Sequence, residues 1–251
     1  MTDTLIQLIL CVSIFLSNSC AFFVNRYLNN LEETRLKLKT FLQKFDTMYL
    51  LKKDGFMKNI LLSILEKYLQ IFPEEYERQL KLIEYLNNHE DDSITDWNNF
   101  DGHIVAGGFV YAKAENKFLV LYHKDLQMYL YPGGHIDSND KNPLEASRRE
   151  IKEETGLQDL EQLKLADEVL IPIDIDTHEI GHNQRLKLPP HYHFDFRYLF
   201  TVDKIEDIKM DTEELANFQW IDIVELSKDQ NYGKVASKIE RLLSEVKTLK
   251  R

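Results

Sequence analysis

The sequence predicts an α+β domain built around a mixed sheet and preceded by a small helical N-terminal region. Three observations lead there. Segments rich in β-branched and aromatic residues do not alternate regularly with helical ones, which argues against a doubly wound parallel sheet. Apolar residues recur at helical spacing from Leu28 to Leu86. A glycine turn at Gly133–Gly134 then runs through a polar loop into a helix that carries three close carboxylates.

In chain order, residues 1–56 form an apolar and helical N-terminal extension. Leu5 to Val24 is uncharged and close to bilayer-spanning length, although Gln7, Ser13, Ser17, Asn18 and Ser19 dilute it. Four readings stay open: a membrane anchor, a cleaved signal, a buried apolar helix, or sequence upstream of a start at Met57. As an anchor, the following Arg26, Arg35, Lys37 and Lys39 would leave the large C-terminal part in the cytoplasm. The expected location is therefore cytoplasmic, with an anchor through residues 5–24 as the variant. Residues 57–98 predict a helical region and linker. Ile60 to Phe72 reads as a helix closed by Pro73, Glu74 to Leu86 as another, and the polar Asn87 to Asp101 as a linker by composition.

The main domain, residues 99–251, opens with a predicted hairpin, His103 to Ala112 and Lys117 to His123. Pro132, Gly133 and Gly134 should break the strand arriving from Tyr129 to Tyr131. Asn142 is placed as N-cap of the next helix, Pro143 at its first position, Glu145 to complete a capping box, and Gly156 as the stop. Leu144, Ser147, Ile151 and Thr155 share one face of that helix. Further strands are expected at Glu168 to Ile175, His193 to Val202 and Asn217 to Ile223. A terminal amphipathic helix from about Leu226 to Leu249 should turn Lys238, Arg241, Lys247 and Lys250 outward.

Composition narrows the function. A 251-residue chain with 43% hydrophobic residues can bury one sizeable core plus something smaller. Its net charge is −11, and residues 1–56 carry 7 basic against 5 acidic side chains, so the remainder stands at −13. Such a surface repels polyphosphate backbones, which excludes a dedicated nucleic-acid binder and suits a small substrate arriving as a metal complex. Cys11 and Cys20 are the only cysteines, so the main domain holds neither a disulfide framework nor a cysteine nucleophile.

Glu150, Glu153 and Glu154, at i, i+3 and i+4, fall on one helix patch. Like charges so close are costly unless a cation sits among them, and Mg²⁺, a hard oxygen-seeking ion, is the natural one, with Mn²⁺ as the alternative. A solvated acidic face is the bland alternative. On a later strand His191, His193 and Asp195 alternate and so share a face, while Tyr192, Phe194 and Phe196 read as core and Trp220 as packing. The histidines and Asp195, with His135 and His178, read either as an extra metal site or substrate clamp, or as a polar stripe.

The run Pro132 to Leu157 resembles the Nudix box, G-x5-E-x7-R-E-U-x-E-E-x-G-U with U aliphatic. Its second half is matched throughout, from Arg149 to Leu157. The first half departs: Asp140 stands where the family has Glu, and eight residues rather than seven separate it from Arg149. Asp140 or Asp137 is placed to take over the salt bridge to the box arginine. The resemblance spans about Gly102 to Leu226 and is closest to a subgroup with PGGH at the box start and a later His-x-His-x-Asp strand.

That resemblance implies an α/β/α sandwich and metal-dependent hydrolysis of a diphosphate bond in a nucleoside-diphosphate-linked or related small molecule. A non-catalytic ligand sensor on the same fold is the alternative. An isopentenyl-diphosphate isomerase would need a cysteine that the domain lacks. Carried over residue by residue, the metal ligands are the Gly134 carbonyl, Glu150, Glu153 and Glu154. Catalysis would draw on Glu153, Glu154, the orienting Arg149 and a loop carboxylate, Glu213 or Glu214, with Glu214 preferred. Substrate binding would fall to His135, His191, His193 and Asp195.

Overall fold

The paired strands of the domain carry alternating side chains, so each strand offers one apolar face to a helix on either side of the sheet. The structure, a computed structural model, describes residues 56–166, 168–182, 188–228 and 232–249. The expectations for residues 5–24 and for the rest of 1–55 lie outside these. Among the described residues no helix is long and apolar enough to cross a membrane.

Eight strands form the mixed sheet: β1 (His103–Ala112), β2 (Lys117–His123), β3 (Met128–Leu130), β4 (Gly133–His135), β5 (Glu161–Gln162), β6 (Asp174–Ile180), β7 (His191–Val202) and β8 (Leu215–Asp222). β1 runs parallel to β7 along the whole length of β1, His103 opposite His193 and Ala112 opposite Val202. The other edge of β1 is divided, pairing with β4 near its start and with β2 at its end. β7 is divided likewise between β6 and β5.

Among the described residues six helices accompany the sheet: α1 (Phe56–Ile71), α2 (Leu80–Asn88), α3 (Asp91–Ile94), α4 (Pro143–Thr155), α5 (Ile223–Lys228) and α6 (Gly233–Leu249). α4 buries Leu144, Ser147, Ile151 and Thr155 as their spacing predicts, against the side of the sheet where Gly108 and Phe200 meet Ser147. α6 packs Val235, Ala236, Ile239 and Leu242 on Phe109, Tyr111, Phe118 and Leu199. The result is an α/β/α sandwich.

Several elements differ from expectation for identifiable reasons. The strand expected at Glu168 to Ile175 starts at Asp174, because Pro172 has no N–H to give a ladder. Gly133 and Gly134 do not merely break a strand: they pair with β1, where a Cβ on Gly133 would lie 2.6 Å from the Gly107 Cα. The segment read as a linker contains α3, whose Asp91 accepts from the Lys58 amide at 2.6 Å at the start of α1. The second helix begins only at Leu80, after two short 3-10 turns. The terminal helix is two, α5 and α6, and Lys238 turns inward rather than out.

Lys238 belongs to a buried ionic network centred on Asp174. Arg78 gives that carboxylate two hydrogen bonds, at 2.9 and 2.8 Å, Lys238 gives one at 2.7 Å, and Arg197 one at 3.3 Å. The N-terminal turns, β6, β7 and α6 thus meet on one group. Burial alone would raise the pKa of Asp174, but the Arg78 hydrogen bonds and the Lys238 and Arg197 charges hold it down at about 2, against an ordinary 3.8. A carboxylate with a depressed pKa gives stability above its unfolded value and loses it as pH falls through the folded one.

Asp174→Asn should therefore leave buried Arg197 short of a counter-charge and destabilise the protein by roughly 3–5 kcal/mol in denaturant titration. Part of the wild-type stability should also be lost between about pH 4 and pH 2. An unchanged midpoint in the variant would show the network to be dispensable.

Candidate active site

The helix α4 begins as its sequence dictates, with the Asn142 side chain accepting from the Glu145 amide at 3.0 Å and Pro143 in the first turn. Glu145 reaches back one residue further than a capping box requires, accepting from the Lys141 amide at 3.2 Å. Gly156 closes the helix at φ 75°, a left-handed conformation that glycine adopts without cost.

Arg149 is the hub of the acidic patch. Its guanidinium donates to Asp140 at 2.8 Å, to Glu150 and Glu153 at 2.9 Å each, and to the His135 carbonyl at 2.8 Å. Asp137 stands further off, at 3.7 Å. Asp140 has therefore taken the arginine partner's place despite the extra residue in the loop.

Glu150 and Glu154 turn towards the glycine turn, not to open solvent. A Cβ on Gly134 would come within 2.7 Å of the Glu150 carboxylate, so only glycine allows this approach. Glu154 accepts from the Gly133 amide at 2.9 Å. Burial, partly offset by Arg149, pushes the Glu150 pKa up to about 7. Burial and the nearby Glu150 charge push Glu154 to about 8, and Glu214 and Asp211 add to it. Glu153, by contrast, is exposed and tied to Arg149. Two half-buried carboxylates crowded together, with oxygen donors throughout, fit a hard divalent cation.

Glu214 stands at the head of β8, in a loop bound to the end of α4 by the Asp211 amide, which donates to the Glu154 carbonyl at 3.1 Å. Lys124 ties the loop from the other side, donating to the Thr212 carbonyl at 2.5 Å. The sequence-predicted carboxylates are thus brought together by α4 and the turn before β8.

The other predicted group divides. His135, His191 and His193 gather, with His178 beside His193, on the sheet face opposite α4. His103 joins them, its Nε2 3.1 Å from that of His135. Nothing in its local sequence marks His103; the signal is its place at the head of β1, which only the parallel register with β7 sets beside His193. Burial and the neighbouring His135 lower the His103 pKa to about 4. Burial and then His103 lower that of His193. His103 and His193 are therefore neutral at pH 7.

Asp195 does not join them. It accepts from Arg197 at 3.0 Å and from the Tyr131 hydroxyl, as part of the buried network. Of the expected core residues, Phe194 and Phe196 are buried, while Tyr192 lies under Lys81 and Trp220 is half-buried.

A glycine turn laid on β1 thus packs against a helix that carries Arg-Glu and Glu-Glu steps. The family model of the NUDIX domain matches residues 101–243, and the chain belongs to that family as a Nudix hydrolase. A relative from Lactococcus lactis subsp. cremoris, named a probable DHNTP pyrophosphohydrolase, is 30% identical over 135 residues, covering 53% of this chain and 74% of that protein. An RNA pyrophosphohydrolase of Bartonella henselae is 28% identical over 119 residues, covering 43% and 65% respectively. Among solved structures, a C. elegans Ap4A hydrolase binary complex aligns at 21% identity and a TM-score of 0.44, covering 57% of this chain and 98% of that one.

Because the Glu154 pKa is raised in the folded protein, this group costs increasing stability as pH climbs from about 4.5 to about 8. In chelator, Glu154→Gln should melt at or above the wild-type temperature, with a gap that opens over that window and stays constant beyond it. A variant less stable than wild type at pH 8 would show that the carboxylate is not crowded.

Proposed function

We propose that this hydrolase cleaves a diphosphate bond in a nucleoside-diphosphate-linked or related small molecule, using Mg²⁺, with Mn²⁺ able to replace it. The observation that carries the reading is the pair Glu150 and Glu154, packed on the glycine turn with Arg149 and one backbone amide as their main partners. Glu150, Glu153, Glu154 and the Gly134 carbonyl would hold the cation. When bound, it would neutralise the diphosphate oxygens and orient the attacking water.

The chain's own groups do the rest. Arg149 fixes Glu150 and Glu153 in place and is an orienter, not a reactant. Glu154 or Glu214 takes the proton of the attacking water, the two being close enough to feel each other's charge. His135, His191 and His193 face the part of the substrate beyond the diphosphate. Asp195 supports that wall through Arg197 and Tyr131. The names of the relatives bring DHNTP and RNA into the substrate panel, and the acidic surface disfavours RNA.

The test is product analysis, following the two phosphorylated fragments, for a panel of nucleoside diphosphate derivatives, dinucleoside polyphosphates, sugar nucleotides, DHNTP, RNA and non-nucleotide diphosphates with Mg²⁺. On the substrate found, Glu153→Gln and Glu154→Gln should lower kcat by about 100-fold or more, equivalent to about 3 kcal/mol of barrier. Glu145→Gln on the same helix should change stability and leave turnover alone. Wild-type rates in Glu153→Gln and Glu154→Gln at limiting Mg²⁺ would overturn the assignment.

A further inference from the structure

The imidazoles of His103, His191 and His193 converge more closely than a polar stripe requires. One ring nitrogen of each lies within 4.8 Å of the others. His191 donates from Nδ1 to the Pro189 carbonyl at 2.9 Å, and His103 places Nδ1 3.4 Å from the Asn99 carbonyl. A carbonyl can only accept, so those Nδ1 atoms carry protons, and Nε2 is the nitrogen each ring offers to an ion. The His191 Nε2 lies 3.3 Å from the His193 Nε2. Nitrogens bound about 2.0–2.1 Å from a tetrahedral ion stand roughly 3.3 Å apart. The outer partners are those of metal-bound histidines, whose remote N–H is usually held by a carbonyl or carboxylate.

We propose that His103, His191 and His193 bind a divalent first-row transition ion, with Zn²⁺ the representative, at a site separate from the carboxylates of α4. Three imidazole donors and no thiolate select such an ion over Mg²⁺, which prefers oxygen. Separation follows from the pleat. On β4, Gly134 faces Glu150 while its neighbour His135 faces His103, so the two donor sets lie on opposite sides of the strand. Three protein ligands leave a fourth position open beside His135, where an anionic oxygen of a substrate can bind.

Full-length protein stripped with chelator should be titrated with Zn²⁺ by calorimetry, and with Co²⁺ by visible absorption. Wild type should take up one Zn²⁺ tightly, and Co²⁺ should give the intense visible bands of a four-coordinate ion. His191→Gln and His193→Gln should each weaken Zn²⁺ binding by more than about 100-fold, beyond the loss that an outer-partner change gives. Both should also abolish the Co²⁺ bands, with circular dichroism confirming the fold. Glu153→Gln with Glu154→Gln should leave both signals intact, so this site stands or falls independently of the catalytic assignment. No tight Zn²⁺ uptake by folded wild type, or uptake unaffected in a folded histidine variant, overturns the proposal. So does loss of the signals in the glutamate variant alone.

Discussion

The close approach of the Glu150 and Glu154 carboxylates to the backbone of Gly133 and Gly134 is the contact on which the arrangement of the acidic patch depends. A side chain at 134 would occupy the space of the Glu150 carboxylate. The turn can come so near because β4 is laid on β1, glycine against glycine at positions 107 and 133. The same pairing places His135 on the opposite face. One three-residue strand therefore separates an oxygen-donor pocket from a nitrogen-donor one. Arg149 spans the junction, holding the carboxylates through its fork and β4 through the His135 carbonyl.

A second constraint lies deeper. Asp174 gathers cations from the N-terminal turns, β7 and α6, and the adjoining Asp176 takes a 2.7 Å bond from Arg197. Buried charge networks are not cheap to desolvate, and replacing one by apolar groups is often neutral. What this one does is fix register. Asp174, Asp176 and His178 face Arg197, Asp195 and His193 across β6 and β7, so holding the ionic half of the ladder also holds the imidazole half. The helical region before the domain enters this arrangement directly through Arg78 and is more than an appendage.

Much of this was legible in the residues. The cap, the first-turn proline and the stop of α4 are local chemistry, and the strands at 103–112 and 117–123 follow from local composition. The carboxylate patch is local too, since i, i+3 and i+4 spacing decides it. What the sequence concealed is what only long-range register decides. His103 meets His193 because β1 and β7 run parallel. Asp195 shares a strand face with the histidines, yet Arg197, two residues on, and Tyr131 claim it. Lys238 read as a surface lysine because its partner lies 64 residues earlier in the chain. The hydrophobic run at 168–173 read as strand, although its proline denies it a ladder.

In the proposed function the glycine turn and the α4 carboxylates form one cation site. Crystals soaked in Mn²⁺ and measured for anomalous scattering test it most directly. The expected result is a peak bounded by Glu150, Glu154 and the Gly134 carbonyl, with Glu153 near it and Asp140 still on Arg149. Well-ordered carboxylates with no peak between them, and manganese bound only elsewhere, would contradict it.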